Sequence, residues 1–185
     1  MTKFGKIKIA VFLLFAAIFV TPAFAQGTGS MKVKLYFTDT LNNSDLEDCG
    51  KVRAVTRSIP KTKAPAATVL RELFQGATKD EEAAGLSSAF KPETADVLIS
   101  VNIKNGSAYV NLRETIYEKM SFVSSSCGGL TFHAPILATL RQFPAVKRVY
   151  YAIEGHPADY YEWTQAGECP DEIKDCSGKN FIDAR

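Results

Sequence analysis

Histidine is nearly missing from this sequence. Among 185 residues there are two, His133 and His156, alongside a single tryptophan, Trp163. That scarcity narrows the chemistry at once, because histidine is the usual general base and a common metal ligand near neutral pH. No run of five basic residues occurs, and the net charge is only +2, so an electrostatic footprint for nucleic acid is absent. No apolar stretch reaches the roughly 20 residues a membrane helix requires. No two of the four cysteines are two to four residues apart, which removes the knuckle of a structural zinc site. The nucleophile elbow G-x-S-x-G and the phosphate-binding glycine loops are missing as well.

The longest apolar run, Ile9 to Val20, follows Lys3, Lys6 and Lys8 and precedes Ala23-Phe24-Ala25. A basic start, a short apolar centre and an A-x-A site describe a secretory signal over residues 1–25, with cleavage at Ala25/Gln26. No cysteine stands at that point to carry a lipid. Residues 26–185 hold 19 Lys and Arg against 20 Asp and Glu, a net charge of −1. Their length suits one domain. The expectation is an exported protein, periplasmic or secreted, with no membrane insertion after cleavage and no nucleic-acid partner.

Cys49, Cys127, Cys169 and Cys176 all lie in the exported part. An even number in an oxidising compartment reads as two disulfides, for which three connectivities exist. Cys169 and Cys176 sit close together in one tail, where a local bridge forms easily, and that leaves Cys49 with Cys127.

The clearest structural signal is VLISVNIKNGSAYVNL, residues 97–112. Val97, Ile99, Val101 and Ile103 alternate with Leu98, Ser100, Asn102 and Lys104, the period of a half-buried strand. Asn105-Gly106 tolerates the two positive φ values of a type I′ turn. A two-residue loop there pairs Lys104 with Ser107, Ile103 with Ala108, Val101 with Val110 and Ile99 with Leu112, and any slip would turn apolar residues outward.

Upstream, residues 32–38 alternate as a strand, and 39–51 are a polar, acidic loop. Residues 52–59 form a second strand that Pro60 stops. A helix is expected from about Thr62 or Lys63. Ala66, Val69, Leu70, Leu73 and Phe74 make its apolar stripe and Gly76 ends it. Thr78 with Glu81 forms a capping box for a short second helix. Downstream, the serine- and glycine-rich 124–129 reads as a loop, Thr131 to Gln142 as a helix ended by Pro144, and Lys147 to Ile153 as a last strand. The order β-β-α-(α)-β-β-α-β describes an α+β fold, a mixed sheet with two main helices on one face. Its extent is residues 26–155, followed by a Cys-containing tail over 156–185.

Candidate chemistry is thin. Ser124, Ser125 and Ser126 lack an elbow. His133, placed in the first turn of the second long helix, reads as a local structural residue and His156 as a solvated one. The carboxylates Asp80, Glu81 and Glu82, and Asp171 with Glu172, fall in solvated charge clusters. They leave a small wall hydrolase as the alternative to a binding domain. With the cysteines bridged there is no free thiolate, and no cofactor or metal is indicated. Tyr160, Tyr161 and Trp163 form an aromatic group able to stack on a sugar, dock a partner or cover an apolar edge.

Taken together, KVKLYF (32–37), VTRSIPKT (55–62), ATVLRELFQGAT with DEEAAGLSSAF (67–90), VNIKNGSAYVNL (101–112) and TLRQFPAVKRVYYAIEG (139–155) resemble the GerMN domain, the sporulation and spore germination module of bacterial envelope proteins. The TLRQFP-x-V-x-x-V run and the Gly-x-x-x-x-Glu-x-x-x-Gly spacing over 76–85 carry most of the likeness. Envelope members often place cysteines after the first strand and before the second long helix, which supports joining Cys49 to Cys127. This sequence has SSSCGG where glycines would precede the cysteine, and its tail 156–185 lies outside the likeness. The resemblance implies an exported, non-catalytic module, sometimes attached to cell-wall enzymes or spore-assembly proteins; with the export signal and the thin chemistry, it makes an envelope protein or peptidoglycan the expected partner. Open sheet edges leave room for homo-oligomers, a small ligand could bind between sheet and helices, and there is no accepted set of binding residues to carry over.

Overall fold

Two three-stranded sheets, rather than one, carry this fold. The computed structural model describes residues 29–43 and 48–182. The signal sequence expected over 1–25 and its cut at Ala25/Gln26 lie outside them. In the first sheet β1 (Ser30–Asp39) runs antiparallel between β2 (Val52–Pro60) and a two-residue β3 (Leu86–Ser87), in the order β2-β1-β3. In the second, β5 (Ser107–Leu112) pairs antiparallel with β4 (Leu98–Lys104) and parallel with β6 (Arg148–Ile153). The α+β class and the order of the main elements agree with the sequence.

Beyond its short pairing with β3, one side of β1 is covered by side chains instead of a strand. Gln142 Nε2 donates to the Lys34 carbonyl at 2.8 Å, and its Oε1 accepts from the Lys34 N–H at 3.0 Å. Thr139 Oγ1 accepts from the Tyr36 N–H at 3.1 Å. A side-chain amide exchanging both bonds with one residue stands in for a neighbouring strand.

The hairpin forms with Asn105 at φ 51° and Gly106 at φ 80°, as a type I′ turn demands. Lys104 opposes Ser107, Ile103 opposes Ala108 and Val101 opposes Val110, as the pattern requires. Beyond Ser100 the register shifts, so Leu98, not Ile99, faces Leu112. The shift turns Leu98 into the core, where it is buried, and leaves Ile99 half-covered. Nor does the sheet have a single oily face, because all six residues of β5 are buried.

Helix α1 (Pro65–Phe74) buries Ala66, Val69, Leu70, Leu73 and Phe74 on the predicted stripe. It ends at Gly76, where φ is +86° and a Cβ would meet the Phe90 carbonyl at 2.4 Å, so only glycine fits. Phe74 stacks on Phe90 at 4.6 Å, and both rings lean on Phe132. Helix α2 (Lys79–Ala83) starts in the Thr78–Glu81 capping box. Arg57 of β2 ties these pieces together. It donates to both Glu81 carboxylate oxygens at 3.1 and 2.5 Å, to Glu72 at 3.0 Å and to the Gly76 carbonyl at 2.8 Å. Burial alone would push Glu81 up, but the bonds from Arg57 and Thr78 outweigh it and hold its carboxyl below the usual range.

A one-turn helix α3 (Ile116–Lys119) leads to α4 (Ser126–Leu140), which begins five residues earlier than expected. Ser125 caps it, accepting from the Gly128 N–H at 3.2 Å. Serine and glycine disfavour helix interiors locally, yet here the first turn is anchored. Cys127 is at bonding distance from Cys49, with Cα atoms 5.4 Å apart. Cys169 and Cys176 pair likewise, Cα atoms 5.6 Å apart.

Helices α1 and α4 pack on each other and reach both sheets. Residues 156–182 belong to the same core. A short helix α5 (Pro157–Trp163) packs on β6, and Tyr160, Ile173 and Phe181 are buried in the common apolar cluster. Phe181 meets Tyr109 edge-on at 5.3 Å. The Phe181 carbonyl accepts from the Ser100 hydroxyl and the Asn180 carbonyl from the Asn102 amide, both at 3.1 Å. The end of the tail, at Asn180 and Phe181, therefore covers the side of the second sheet turned away from α1 and α4, so β5 has no wet face.

Candidate functional site

A cleft of about 600 Å³ opens where the start of α4, the outer strand β6 and the end of α5 meet. Each wall follows from local sequence. The glycines after Cys127 let α4 press against the turn before it, since a Cβ on Gly128 would sit 1.9 Å from the Phe122 carbonyl. That contact brings Ser124, Ser125 and Leu130 to the rim, with His133 one turn deeper. Strand β6 supplies Val149 to Tyr151 along its unpaired edge. The third wall is α5, which Pro157 starts at a position that needs no N–H donor; it contributes Tyr160, Tyr161 and Thr164.

His133 is the hub. Its Nδ1 lies 2.7 Å from the Gly129 carbonyl, which can only accept, so Nδ1 carries the proton. Nε2 then accepts from the Tyr160 hydroxyl at 2.5 Å. Burial among Phe132, Tyr151 and Tyr160 pushes the imidazole below its ordinary pKa, outweighing the Gly129 bond. Tyr151 stacks on Tyr160 at 4.8 Å. The Tyr161 hydroxyl faces the Tyr151 N–H at 3.5 Å, on the free edge of β6. Burial raises the Tyr151 and Tyr160 phenols well above their usual value and Tyr161 to about 12. All three stay protonated at physiological pH. The cleft is thus rich in rings and neutral hydroxyls, and no carboxylate lines it.

Of the roles open to the aromatic trio, covering an apolar edge is the one its burial favours. Tyr160 is 1% exposed and Tyr161 9%, because both turn inward from α5 onto β6. Trp163 is half-covered and packs edge-on against Tyr117 at 5.3 Å and beside Tyr160 at 6.0 Å. Covering an apolar edge is their main work, with Tyr160 and Tyr161 also forming the cleft floor. His133, expected in the first turn of its helix, stands about two turns in. Its partner is 27 residues away, and no local pattern points to that pair.

The carboxylate candidates stay apart from the cleft. Glu81 is held by Arg57, while Asp80 and Glu82 are exposed beside it. Asp171 and Glu172 are exposed in the tail, Glu172 at 3.9 Å from Arg148. Among the described residues no group of three His, Cys, Asp or Glu could hold a metal ion, and no helix is long and apolar enough to cross a membrane.

Residues 34–159 match the Germane family model, described as sporulation and spore germination. This chain belongs to that GerMN-domain family. The match ends one residue before Tyr160, so the α5 wall of the cleft falls at its border and the tail beyond it. No curated protein matches the chain. Among solved structures, it is similar to the tandem GerMN domains of the sporulation protein GerM from Bacillus subtilis, with 20% identity, a TM-score of 0.47 and 73% of this chain covered. It spans 43% of that protein. The first GerMN domain of the same GerM matches at 21% identity and a TM-score of 0.46, over 69% of this chain and 85% of that one. A putative lipoprotein from Clostridium perfringens matches at 19% identity and a TM-score of 0.39, over 70% and 78%.

Proposed function

We propose that this chain is an exported binding module of the bacterial envelope, acting by contact with the cell wall or a partner protein rather than by turnover. The observation that carries the reading is the state of His133. Both its nitrogens are engaged, one by Gly129 and one by Tyr160, so the cleft's one strong candidate base has no lone pair to offer a nucleophile. Around it are rings and hydroxyls, the chemistry that holds a sugar or peptide by stacking and neutral hydrogen bonds. Two cysteine pairs at bonding distance support an oxidising compartment, as do the basic, apolar and small-residue segments of positions 1–25.

The test mixes residues 26–185 with peptidoglycan sacculi and, separately, with envelope extract under cross-linking. Retention on sacculi, or one cross-linked protein, is expected. Leu130→Asp, which puts a charge on the half-exposed cleft rim, should weaken that capture severalfold. Protein left wholly in the supernatant with no cross-linked partner refutes the module. The hydrolase alternative requires an acid. If alanine at Asp80, Glu81, Glu82, Asp171 or Glu172 abolished release of wall fragments, the binding reading would give way to it.

A further inference from the structure

A second groove, of about 460 Å³, lies on the first sheet, between the outward face of β1 and β2 and the last turn of α4. Lys32, Lys34, Tyr36, Thr56, Arg141 and Gln142 line it. We infer that this groove binds an anionic cell-wall polymer, a glycan or polyol strand bearing phosphate or carboxylate groups. The inference rests on the envelope reading above for where the ligand is met.

Strand alternation turns Lys32, Lys34 and Tyr36 outward while Val33, Leu35 and Phe37 enter the core. The Gln142 clamp on Lys34 then fixes Arg141 beside the two lysines. All three cations are exposed, and among the described residues none has a salt bridge. Both arginines of β2 are neutralised: Arg53 lies 3.3 Å from Asp39, and Arg57 is held by Glu72 and Glu81.

The groove's walls come from acid-free stretches. No Asp or Glu occurs between Asp48 and Glu72 or between Glu118 and Glu154, and β1 has one only at its far end, Asp39. Residues 154–185, by contrast, hold eight acids against three Lys and Arg. A nearly neutral chain has thus sorted its charge, leaving a concave face of one sign that concentrates anions. Tyr36 adds a ring edge and a hydroxyl suited to a hydroxylated strand.

Shape and composition select the occupant. Basic surfaces that lie on bilayers add apolar side chains that enter the lipid, and none of the exposed large apolar residues, Leu41, Ile103, Tyr117, Phe122, Leu130 and Ile182, lines this groove. Duplex nucleic acid engages about 6–10 phosphates at a typical site, more than three cations serve.

The experiment measures binding of residues 26–185 to beads bearing poly(glycerol phosphate), to beads bearing a neutral glycan and to phosphatidylglycerol vesicles. Sacculus retention is measured in parallel. Binding to the phosphate polymer alone is expected, falling at least about tenfold from about 50 to about 500 mM salt. The triple variant K32Q/K34Q/R141Q should lose it, and K63Q/K174Q/K179Q, of equal charge, should keep it. Equal loss in both variants, unchanged binding by K32Q/K34Q/R141Q, or preference for vesicles or neutral beads overturns the inference. Sacculus retention without polymer binding overturns it too, but leaves the module standing. No retention on any surface or partner overturns both.

Discussion

The Tyr160 hydroxyl and His133 Nε2 lie 2.5 Å apart and join α5 to α4 across the end of β6. Burial among Phe132, Tyr151 and Tyr160 disfavours the charged imidazolium, so the bond is made by a neutral ring that accepts from the hydroxyl. Folding therefore holds the His133 pKa below 6.5. As pH falls, the unfolded chain takes up this proton before the folded one, and the stability His133 contributes, complete above about pH 6.5, is lost. Urea midpoints of the wild type should fall between about pH 7 and pH 5 more steeply than those of His133→Gln. Parallel profiles would show that the pair is not coupled to folding.

The link between Cys49 and Cys127 closes 78 residues and joins the loop after β1 to the first turn of α4. In the chain-entropy model its loss costs about 4–5 kcal/mol, against about 2–3 for Cys169–Cys176, which spans 7. Denaturant unfolding of the C49S/C127S and C169S/C176S pairs should keep that order. Fraying of residues 126–129 in hydrogen exchange should accompany the first variant only.

Gln142 and Thr139 act as a surrogate strand for β1. Thr139→Val preserves shape but leaves the Tyr36 N–H without its partner, at about 1–2 kcal/mol, and Gln142→Ala removes both bonds to Lys34 and one to the Thr139 carbonyl, at about 1–3 kcal/mol. Amide exchange at Lys34 should quicken in Gln142→Ala and at Tyr36 in Thr139→Val. Unchanged exchange in both would mean the edge needs no cover.

Phe181, wholly buried against Tyr109, tests whether the tail is part of the cooperative unit. Phe181→Ala should destabilise by about 3–5 kcal/mol with a single unfolding transition. A cost below about 1 kcal/mol, or a separate early transition, would make residues 156–182 an appendage.

Local chemistry in the sequence by itself determined the element order, the Asn105-Gly106 turn, the register from Val101 to Val110, the buried stripe of α1, its stop at Gly76 and the Thr78–Glu81 box. Each depends on residues within a few positions of one another, where side-chain period and backbone preference act alone. Tertiary structure decided the rest. The bulge beside Ile99 exists because Leu98 finds a core position. Helix α4 begins at Ser126 because a cap, a bridge from Cys49 and a close approach to Phe122 outweigh poor propensity in SSSCGG. Tyr160 and Tyr161 turn inward because β6 and His133 offer them rings and a hydrogen bond. The stretch of β1 that the short β3 leaves uncovered takes no further strand, because Gln142, 108 residues away, occupies it at Lys34. Contacts over such separations exist only after the chain has closed its loops and excluded water, so no window of sequence could display them.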